Sequence, residues 1–285
     1  MNMQFLKKYW RKLLLVMVAV FGAIIVTFLI SVLLRDPTDL NLLFSNGQCQ
    51  DKSPVKLGAA PMRPEDIGLI IPLGLMSSGH VTPADHIYFY PKDRQSAPFQ
   101  YNVYAPDDGF IVQVGYESGK HALELVADLG IESYTVVIEH SCNVYTVSGI
   151  INTLTPEILS AVGKLTENRS KQVRIPVKAG QVIGKIGGPH SLDFWLYDNE
   201  KISKGFVVPK HYLFEAPKIH TADPFEYFTE PVKSQLLALN LRRAEPRGGK
   251  IDYDIDGRLV GTWFKENTNG YGGAETEGPT IGLLI

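Results

Sequence analysis

The 285-residue sequence lacks the features that mark nucleic-acid-binding proteins and several common kinds of enzyme. Acidic residues outnumber Lys and Arg by 30 to 28, and no basic stripe with interleaved aromatic residues appears. Because nucleic-acid sites need clustered positive charge, we expect no nucleic-acid partner. No Ser-His-Asp arrangement, phosphate-binding loop or paired-carboxylate motif stands out either. The familiar hydrolytic and nucleotide-binding sites are therefore not indicated.

Charge is missing altogether from residues 13–34, an apolar run of 22 residues. At about 1.5 Å rise per residue, a helix of this length crosses a hydrocarbon core of roughly 30 Å. The positive-inside rule places residues 1–12 in the cytoplasm and the rest of the chain outside, because four basic residues and no acid precede the run: Lys7, Lys8, Arg11 and Lys12. A cleaved signal peptide would have a shorter apolar region followed by a small-residue cleavage site, so a single-pass membrane anchor is the favoured interpretation.

Cysteine is scarce, with Cys49 and Cys142 as the two in the chain. Cys49 follows the apolar run by 15 residues, which disfavours lipoprotein processing. Two cysteines in an exported protein can form a disulfide, whereas Cys142 also suits a small buried side chain with a free thiol. Both alternatives are open at the level of sequence.

The exported part divides into three segments. Residues 35–66 contain several Pro positions and an Asn-Gly pair, which predict a linker. Residues 67–216 are short apolar runs separated by turn residues, which predict an antiparallel β domain with a helical insertion near 155–165. Residues 217–285 predict a short helix and a small β appendage, with a hairpin that turns at Asp256-Gly257. The sequence stops inside an apolar run, which is compatible with a buried last strand and with a chain that continues.

Three stretches of the predicted β domain carry a family resemblance: "VYAPDDGFIVQVG" from Val103, "YTVVIEHSCNVYT" from Tyr134 and "VKAGQVIGKIGG" from Val177. In order and spacing they resemble the M23 (LytM-type) peptidases over about residues 67–198. The resemblance implies a mainly β fold, the duplicated-hybrid-motif or lipoyl-like antiparallel domain. Carrier domains and membrane-fusion adaptors share parts of this pattern, but the chain has neither the carrier's lysine triplet nor a long helical hairpin.

The zinc site that the resemblance implies is largely replaced in this sequence. The family binds zinc through the His and Asp of H-x-x-x-D and the second His of H-x-H, and uses two further histidines in catalysis. The first motif falls on His86, with Tyr90 in place of the aspartate. The second falls on Ser191 and Asp193, and the histidine of Y-x-H-L is replaced by Ile150. Because isoleucine neither takes up a proton nor orients water, we expect no bound cofactor and no family-type hydrolysis.

A substituted metal site is the alternative, with zinc on His86 and Asp193 and with other polar residues nearby. His80 and Asp85 precede His86, but they are five residues apart and would point to opposite faces of a strand. The segment around Pro83 is better interpreted as a turn, which makes His80 an ordinary loop histidine.

The sequence thus predicts a membrane-anchored, extracytoplasmic, non-catalytic protein that binds an envelope glycan or a partner envelope protein. The predicted binding groove contains His86, Tyr90, His140 and Asp193. Two alternatives stay open: a zinc-dependent cell-wall peptidase with substituted ligands, and a structural scaffold of the envelope.

Overall fold

A computed structural model describes residues 10, 14, 16–27, 36–76, 80, 82–117, 132–264, 266 and 280–283. Residues 16–27 are helical, and their large apolar side chains are exposed. No helix within the described ranges is both long and apolar enough to cross a bilayer. Positions 13, 15 and 28–34 of the predicted span, 13–34, lie outside the described residues, and the membrane anchor stays a prediction.

The described residues form mainly β-structure, which confirms the predicted class. The strands are β1 Ile67–Ile71, β2 Ile87–Pro91, β3 Tyr101–Tyr104, β4 Gly109–Glu117, β5 Ser133–Glu139, β6 Val144–Ile151, β7 Thr153–Leu154, β8 Arg169–Val177, β9 Val182–Ile186, β10 Leu192–Asp198, β11 Gly261–Phe264 and β12 Thr280–Leu283. The α-helices after residue 36 are α1 Leu40–Ser45, α2 Pro156–Val162 and α3 Val232–Leu239. Short 3-10 segments span Pro64–Asp66, Pro209–His220 and Pro224–Glu226.

Two antiparallel sheets build the central domain. Seven strands pair in the order β1-β2-β10-β6-β5-β4-β8, and three pair in the order β3-β9-β7. The helix predicted near 155–165 is α2, which Thr155 caps by accepting a hydrogen bond from the backbone N–H of Ile158. Pro156 occupies the first turn of this helix, where its missing N–H costs nothing.

The two faces of the seven-stranded sheet have different roles, as the alternation along β10 shows. Leu192, Phe194 and Leu196 are fully buried in the main core, which also contains residues of the three-stranded sheet. Because successive side chains of a strand point to opposite faces, Asp193 and Tyr197 lie on the other face. This second face is called the outer face below, and it carries Asp193, one of the predicted groove residues.

Residues 36–66, predicted as a linker, pack against the β domain. Leu40, Leu57 and Met62 in this segment are completely buried. Helix α1 lies on the outer face and contacts β4 and β5. Leu57 also pairs with Phe228 in an isolated parallel bridge.

The predicted hairpin at Asp256-Gly257 is absent from the described residues, although the turn itself forms. The flanking residues are not strands, and β11 pairs instead with β12. The carboxylates of Asp252 and Asp254 accept hydrogen bonds from the backbone N–H groups of Gly205 and Thr262. Side-chain bonds to backbone compete with strand pairing in this way.

Candidate functional site

The outer face brings two predicted groove residues together through the pairing of β2 with β10. Asp193 lies directly opposite Tyr88, and His86 immediately precedes β2. Side chains two residues apart on a strand share a face, so His86, Tyr88 and Tyr90 all point to the outer face. His86 and Asp193 consequently meet at one end of the groove.

His86 is buried, with a side chain that is only 5% exposed. Its Nδ1 atom lies 3.2 Å from Asp85 Oδ1, and its Nε2 atom lies 3.5 Å from Asp193 Oδ2. Nε2 makes no hydrogen bond within the described part of the chain. The imidazole ring therefore lies between two carboxyl groups, with Asp85 within hydrogen-bond distance and Asp193 farther away.

Asp85 orders the aromatic wall of the groove. Besides facing His86, its carboxylate accepts hydrogen bonds from Trp195 Nε1 at 3.0 Å and from the Tyr197 hydroxyl at 2.9 Å. Burial alone would raise the pKa of Asp85, but the His86 hydrogen bond, the Lys218 charge and the Tyr197 hydroxyl hold this pKa below its ordinary value. Asp85 is thus an ionised acceptor that fixes three rings at once.

Asp193 has the opposite electrostatic character. Burial raises the pKa of its carboxyl group to about 6, although His86 and a hydrogen bond from Ser191 act to lower it. The Ser191 hydroxyl donates to Asp193 Oδ1 at 2.7 Å. Asp85 therefore ionises more readily than Asp193, because the Asp85 carboxylate accepts several hydrogen bonds and the Asp193 carboxylate accepts few.

The aromatic residues of β2 extend this group of side chains. The Tyr88 hydroxyl and His80 Nε2 are 2.8 Å apart, and burial, with the Asp193 charge second, raises the pKa of Tyr88. Tyr90 stacks beside Tyr88 at a ring separation of 6.5 Å and lies under the guanidinium of Arg94 at 4.9 Å. The phenol at position 90 is therefore held by packing and a cation–π contact.

A cavity of about 580 Å³ opens on the outer face beside these residues. Its floor comes from strands β4, β5, β6 and β10, one wall comes from α1, and another comes from the 3-10 segment Pro209–His220. The lining residues include Phe44, His80, Asp85, His86, Gln113, Thr135, Val137, Val147, Trp195, Tyr197, Glu215 and Lys218. The size is that of a site for one small ligand or a short segment.

His140, the remaining predicted groove residue, lies elsewhere on the sheet. It follows β5 at the opposite end from the Asp193 pairing, in a separate cavity with Glu139 and Arg174. Its two ring nitrogens face the backbone oxygen of Asp108 at 2.9 Å and the Thr146 hydroxyl at 2.8 Å. Burial lowers the pKa of His140 to about 4. The structure does not bring this histidine into the group around His86.

The two cysteines, whose state the sequence left open, form a disulfide in the structure. The Cα atoms of Cys49 and Cys142 are 5.3 Å apart and the bond joins residues 93 positions apart. Cys142 lies in the turn between β5 and β6, so the bond ties the segment after α1 to the outer-face strands.

The described residues do not fit a catalytic zinc ion. Such an ion takes three protein ligands and leaves a fourth position for water. His86 and Asp193 offer two donor atoms, whereas the third family position holds the Tyr90 ring. Across the described ranges, no group of three His, Cys, Asp or Glu side chains is arranged to hold a metal ion. His80 Nε2 is already engaged with Tyr88.

The position of the family's Y-x-H-L histidine also differs in the structure. Ile150 has a backbone φ of 59°, in the left-handed region that β-branched residues rarely adopt. At Gly149, an added Cβ atom would lie 2.9 Å from the Trp195 ring. Trp195 therefore covers the backbone beside the site, and glycine is what permits that close approach.

Comparisons with known proteins return solved structures alone. No protein-family model matches the chain, and no curated protein matches it. One similar structure is the SpoIIQ-SpoIIIAH pore forming complex, with 15% identity, a TM-score of 0.36, and coverage of 63% of this chain and 96% of that chain. Another is a zinc containing peptidase from Vibrio cholerae, with 18% identity, a TM-score of 0.32, and coverage of 50% of this chain and 37% of that chain. The geometry of the chain's own residues decides what the site can do.

Several lining residues carry no signal that sequence reasoning could have used. Lys218 is distant in sequence and reaches the cavity because the segment Pro209–His220 folds over the sheet. Phe44 belongs to the segment predicted as a linker. His80 and Asp85 line one cavity, because the segment before β2 is a loop, in agreement with the turn predicted around Pro83, and not a strand.

Proposed function

We propose that this chain is a membrane-anchored, extracytoplasmic protein whose groove binds an envelope component without catalysing its hydrolysis. The domain resembles M23 peptidases in its sequence motifs, and the apolar run 13–34 with its preceding basic residues supports the anchor. In this proposal the outer-face cavity is the binding site, and the protein acts as a binding or regulatory module.

The observation that carries the proposal is the altered chemistry at the former metal site. His86 and Asp193 meet, but a phenol replaces the third ligand and isoleucine replaces a catalytic histidine. Trp195 and Tyr197, which both donate hydrogen bonds to Asp85, form an aromatic wall, and the Trp195 ring lies 4.2 Å from the His86 ring. Such a site can orient and hold a ligand.

Metal content is the deciding measurement for the non-catalytic half of the proposal. The full chain is purified in detergent, exposed to zinc, desalted and analysed by elemental mass spectrometry beside a His86→Ala variant. We expect no stoichiometric zinc in either protein. About one zinc per chain that disappears in His86→Ala would contradict the proposal and favour a peptidase.

Binding is tested with a variant that fills the cavity. Thr135→Trp places an indole in the 580 Å³ cavity, and Thr166→Trp makes the same change at an exposed position outside it. We expect Thr135→Trp to lose binding to purified envelope glycan or envelope proteins at least tenfold, with Thr166→Trp unchanged. Equal binding by both variants would exclude the cavity as the binding site.

One observation favours a second candidate, the peptidase with substituted ligands. The 3.5 Å separation between His86 Nε2 and Asp193 Oδ2 suits two ligands of one tetrahedral ion, and Nε2 makes no hydrogen bond in the described residues. The zinc measurement above separates the two functions.

A further inference from the structure

Three separate parts of the chain meet at the ring of His220, the last residue of the 3-10 segment Pro209–His220. The His220 Nδ1 atom lies 2.9 Å from the backbone oxygen of Lys201, in the loop after β10. The Nε2 atom lies 3.0 Å from the hydroxyl oxygen of Thr38, which precedes α1. His220 and Thr38 are each 4% exposed. The buried ring therefore joins the segment before α1 to the β domain.

The hydroxyl of Thr38 has a second partner, the carboxylate of Asp36. Thr38 Oγ1 lies 2.7 Å from Asp36 Oδ1, and the Thr38 backbone N–H donates to the same oxygen at 2.8 Å. These two hydrogen bonds lower the pKa of Asp36, against the effect of burial, and the charge of His220 adds a smaller lowering. Two oxygen atoms at 2.7 Å need a hydrogen between them, and an ionised carboxylate can only accept. The single hydroxyl hydrogen of Thr38 therefore points to Asp36.

This arrangement determines where the hydrogens of the His220 ring lie. A backbone carbonyl oxygen cannot donate, so Nδ1 must carry a hydrogen to bond with Lys201. The Thr38 oxygen donates its hydrogen to Asp36 and can bond with Nε2 only as an acceptor, so Nε2 must carry a hydrogen too. Both bonds form together only when the ring is the doubly protonated imidazolium ion. A neutral ring has one N–H and loses one of the two bonds.

The three segments that meet at the ring also carry charged side chains. They are Asp36 and Asp39 before α1, Lys201 after β10 with its partner Glu226, and Glu215 and Lys218 in the 3-10 segment. The ammonium groups of the two lysines lie 3.7 and 3.4 Å from the carboxylates of Glu226 and Glu215. Asp39 accepts hydrogen bonds from Asn199 and from the N–H of Asn41. Asp36 is the carboxylate that is connected to the ring, through the hydroxyl of Thr38.

We propose that His220 is a pH-sensitive latch for residues 36–38, which follow the predicted membrane span. When the ring is doubly protonated, Thr38 is held between His220 and Asp36. When the ring is neutral, the bond between Nε2 and the Thr38 hydroxyl is lost. Histidine is the side chain that ordinarily changes its charge between pH 5 and pH 8, so the latch closes in mild acid and opens as the pH rises. Helix α1 stays attached in both states, because Leu40 is completely buried and the disulfide follows the helix.

The hydrogens of the ring are tested by nitrogen-15 NMR of the histidine side chains, on the full chain in detergent. The signals of His220 are identified by their absence from a His220→Gln variant. Thr38→Val removes the hydroxyl acceptor and keeps the size of the side chain. We expect the His220 ring to become neutral at a lower pH in Thr38→Val than in the wild type, because the second N–H then has no acceptor. The same titration in both proteins would overturn the inferred bond.

The latch is tested by hydrogen exchange of backbone amides at pH 5.5 and pH 8, corrected with an unstructured peptide for the intrinsic effect of pH. Asp36 is ionised at both pH values, because its pKa is below 3.8. We expect protection of the Thr38 amide in the wild type to fall roughly tenfold at the higher pH, as one bond to a charged group is lost. In His220→Gln we expect no such fall.

The amides of Leu43 and Gly47, which donate within and just after α1, are the internal control. We expect their protection to be the same at both pH values and in both proteins, which also shows that His220→Gln is folded. An equal fall at Thr38 in wild type and variant would overturn the latch. A fall at Leu43 and Gly47 as large as that at Thr38 would overturn it as well, since the whole segment would then detach.

Discussion

Asp193 shows how one buried carboxyl group connects the site to the stability of the fold. Its pKa of about 6 lies above the ordinary 3.8, because burial disfavours the charged form. The folded state therefore binds the proton more tightly than the unfolded state. This contribution is fully present below pH 3.8 and is lost as the pH rises through 6.

The change Asp193→Asn removes this pH dependence while keeping the side chain's shape. We expect the free energy of unfolding of the wild type, relative to the variant, to fall by about 2–3 kcal/mol between pH 4 and pH 8. Urea unfolding followed by tryptophan fluorescence at several pH values measures the difference. Parallel pH profiles for the two proteins would show that Asp193 ionises as freely in the fold as in the unfolded chain.

His140 gives a prediction with the opposite sign. Its pKa is lowered from 6.5 to about 4 by burial, so the folded state prefers the neutral ring. The stability that it contributes is present above pH 6.5 and is lost as the pH falls through 4. Compared with His140→Gln, the wild type should lose about 2–3 kcal/mol between pH 7 and pH 4. The same urea titrations test this expectation, and equal losses in both proteins would refute it.

At the scale of elements, α1 illustrates how a short segment gains structure from its surroundings. A six-residue helix is too short to be stable alone. Here the Asp39 side chain caps its first turn by accepting from the Asn41 N–H, and the sheet buries Leu40 beneath it. The helix therefore exists because the outer face offers an apolar surface.

Leu40→Ala tests this dependence. Loss of a completely buried leucine should lower the free energy of unfolding by about 2–4 kcal/mol and increase proteolysis within residues 36–51. Leu241→Ala is the matched control, since Leu241 is 55% exposed and its truncation should cost less than about 0.5 kcal/mol. Similar effects of the two substitutions would mean that the packing of α1 contributes little.

At the scale of the whole molecule, the disulfide links two distant parts of the chain. It closes a loop of 93 residues, and cross-links of this kind limit the conformations of the unfolded state. The double change Cys49→Ser with Cys142→Ser should lower stability by about 2–4 kcal/mol and lower the Tm. Calorimetry of both proteins with and without reductant measures this. The prediction is contradicted if reductant does not affect the wild type under denaturing conditions. It is also contradicted if the double variant has the same Tm as the wild type.

The sequence by itself determined the β class, the capped helix near 155–165 and the juxtaposition of His86 with Asp193. The first two follow from local patterns, namely the alternation along strands and the Thr-Pro pair that starts the helix. The third follows from the order of the family-like motifs along the chain.

Only the tertiary structure decided the rest of the site. His140 lies apart from His86 and Asp193 because the turn between β5 and β6 is at the Asp198 end of β10, whereas Asp193 is near its other end. Lys218, Phe44 and the paired cysteines reached the outer face through contacts between distant segments, which no local periodicity encodes. Residues 36–51 pack on the domain for the same reason, since burial of Leu40 depends on a surface that strands β4 to β6 and β10 create together.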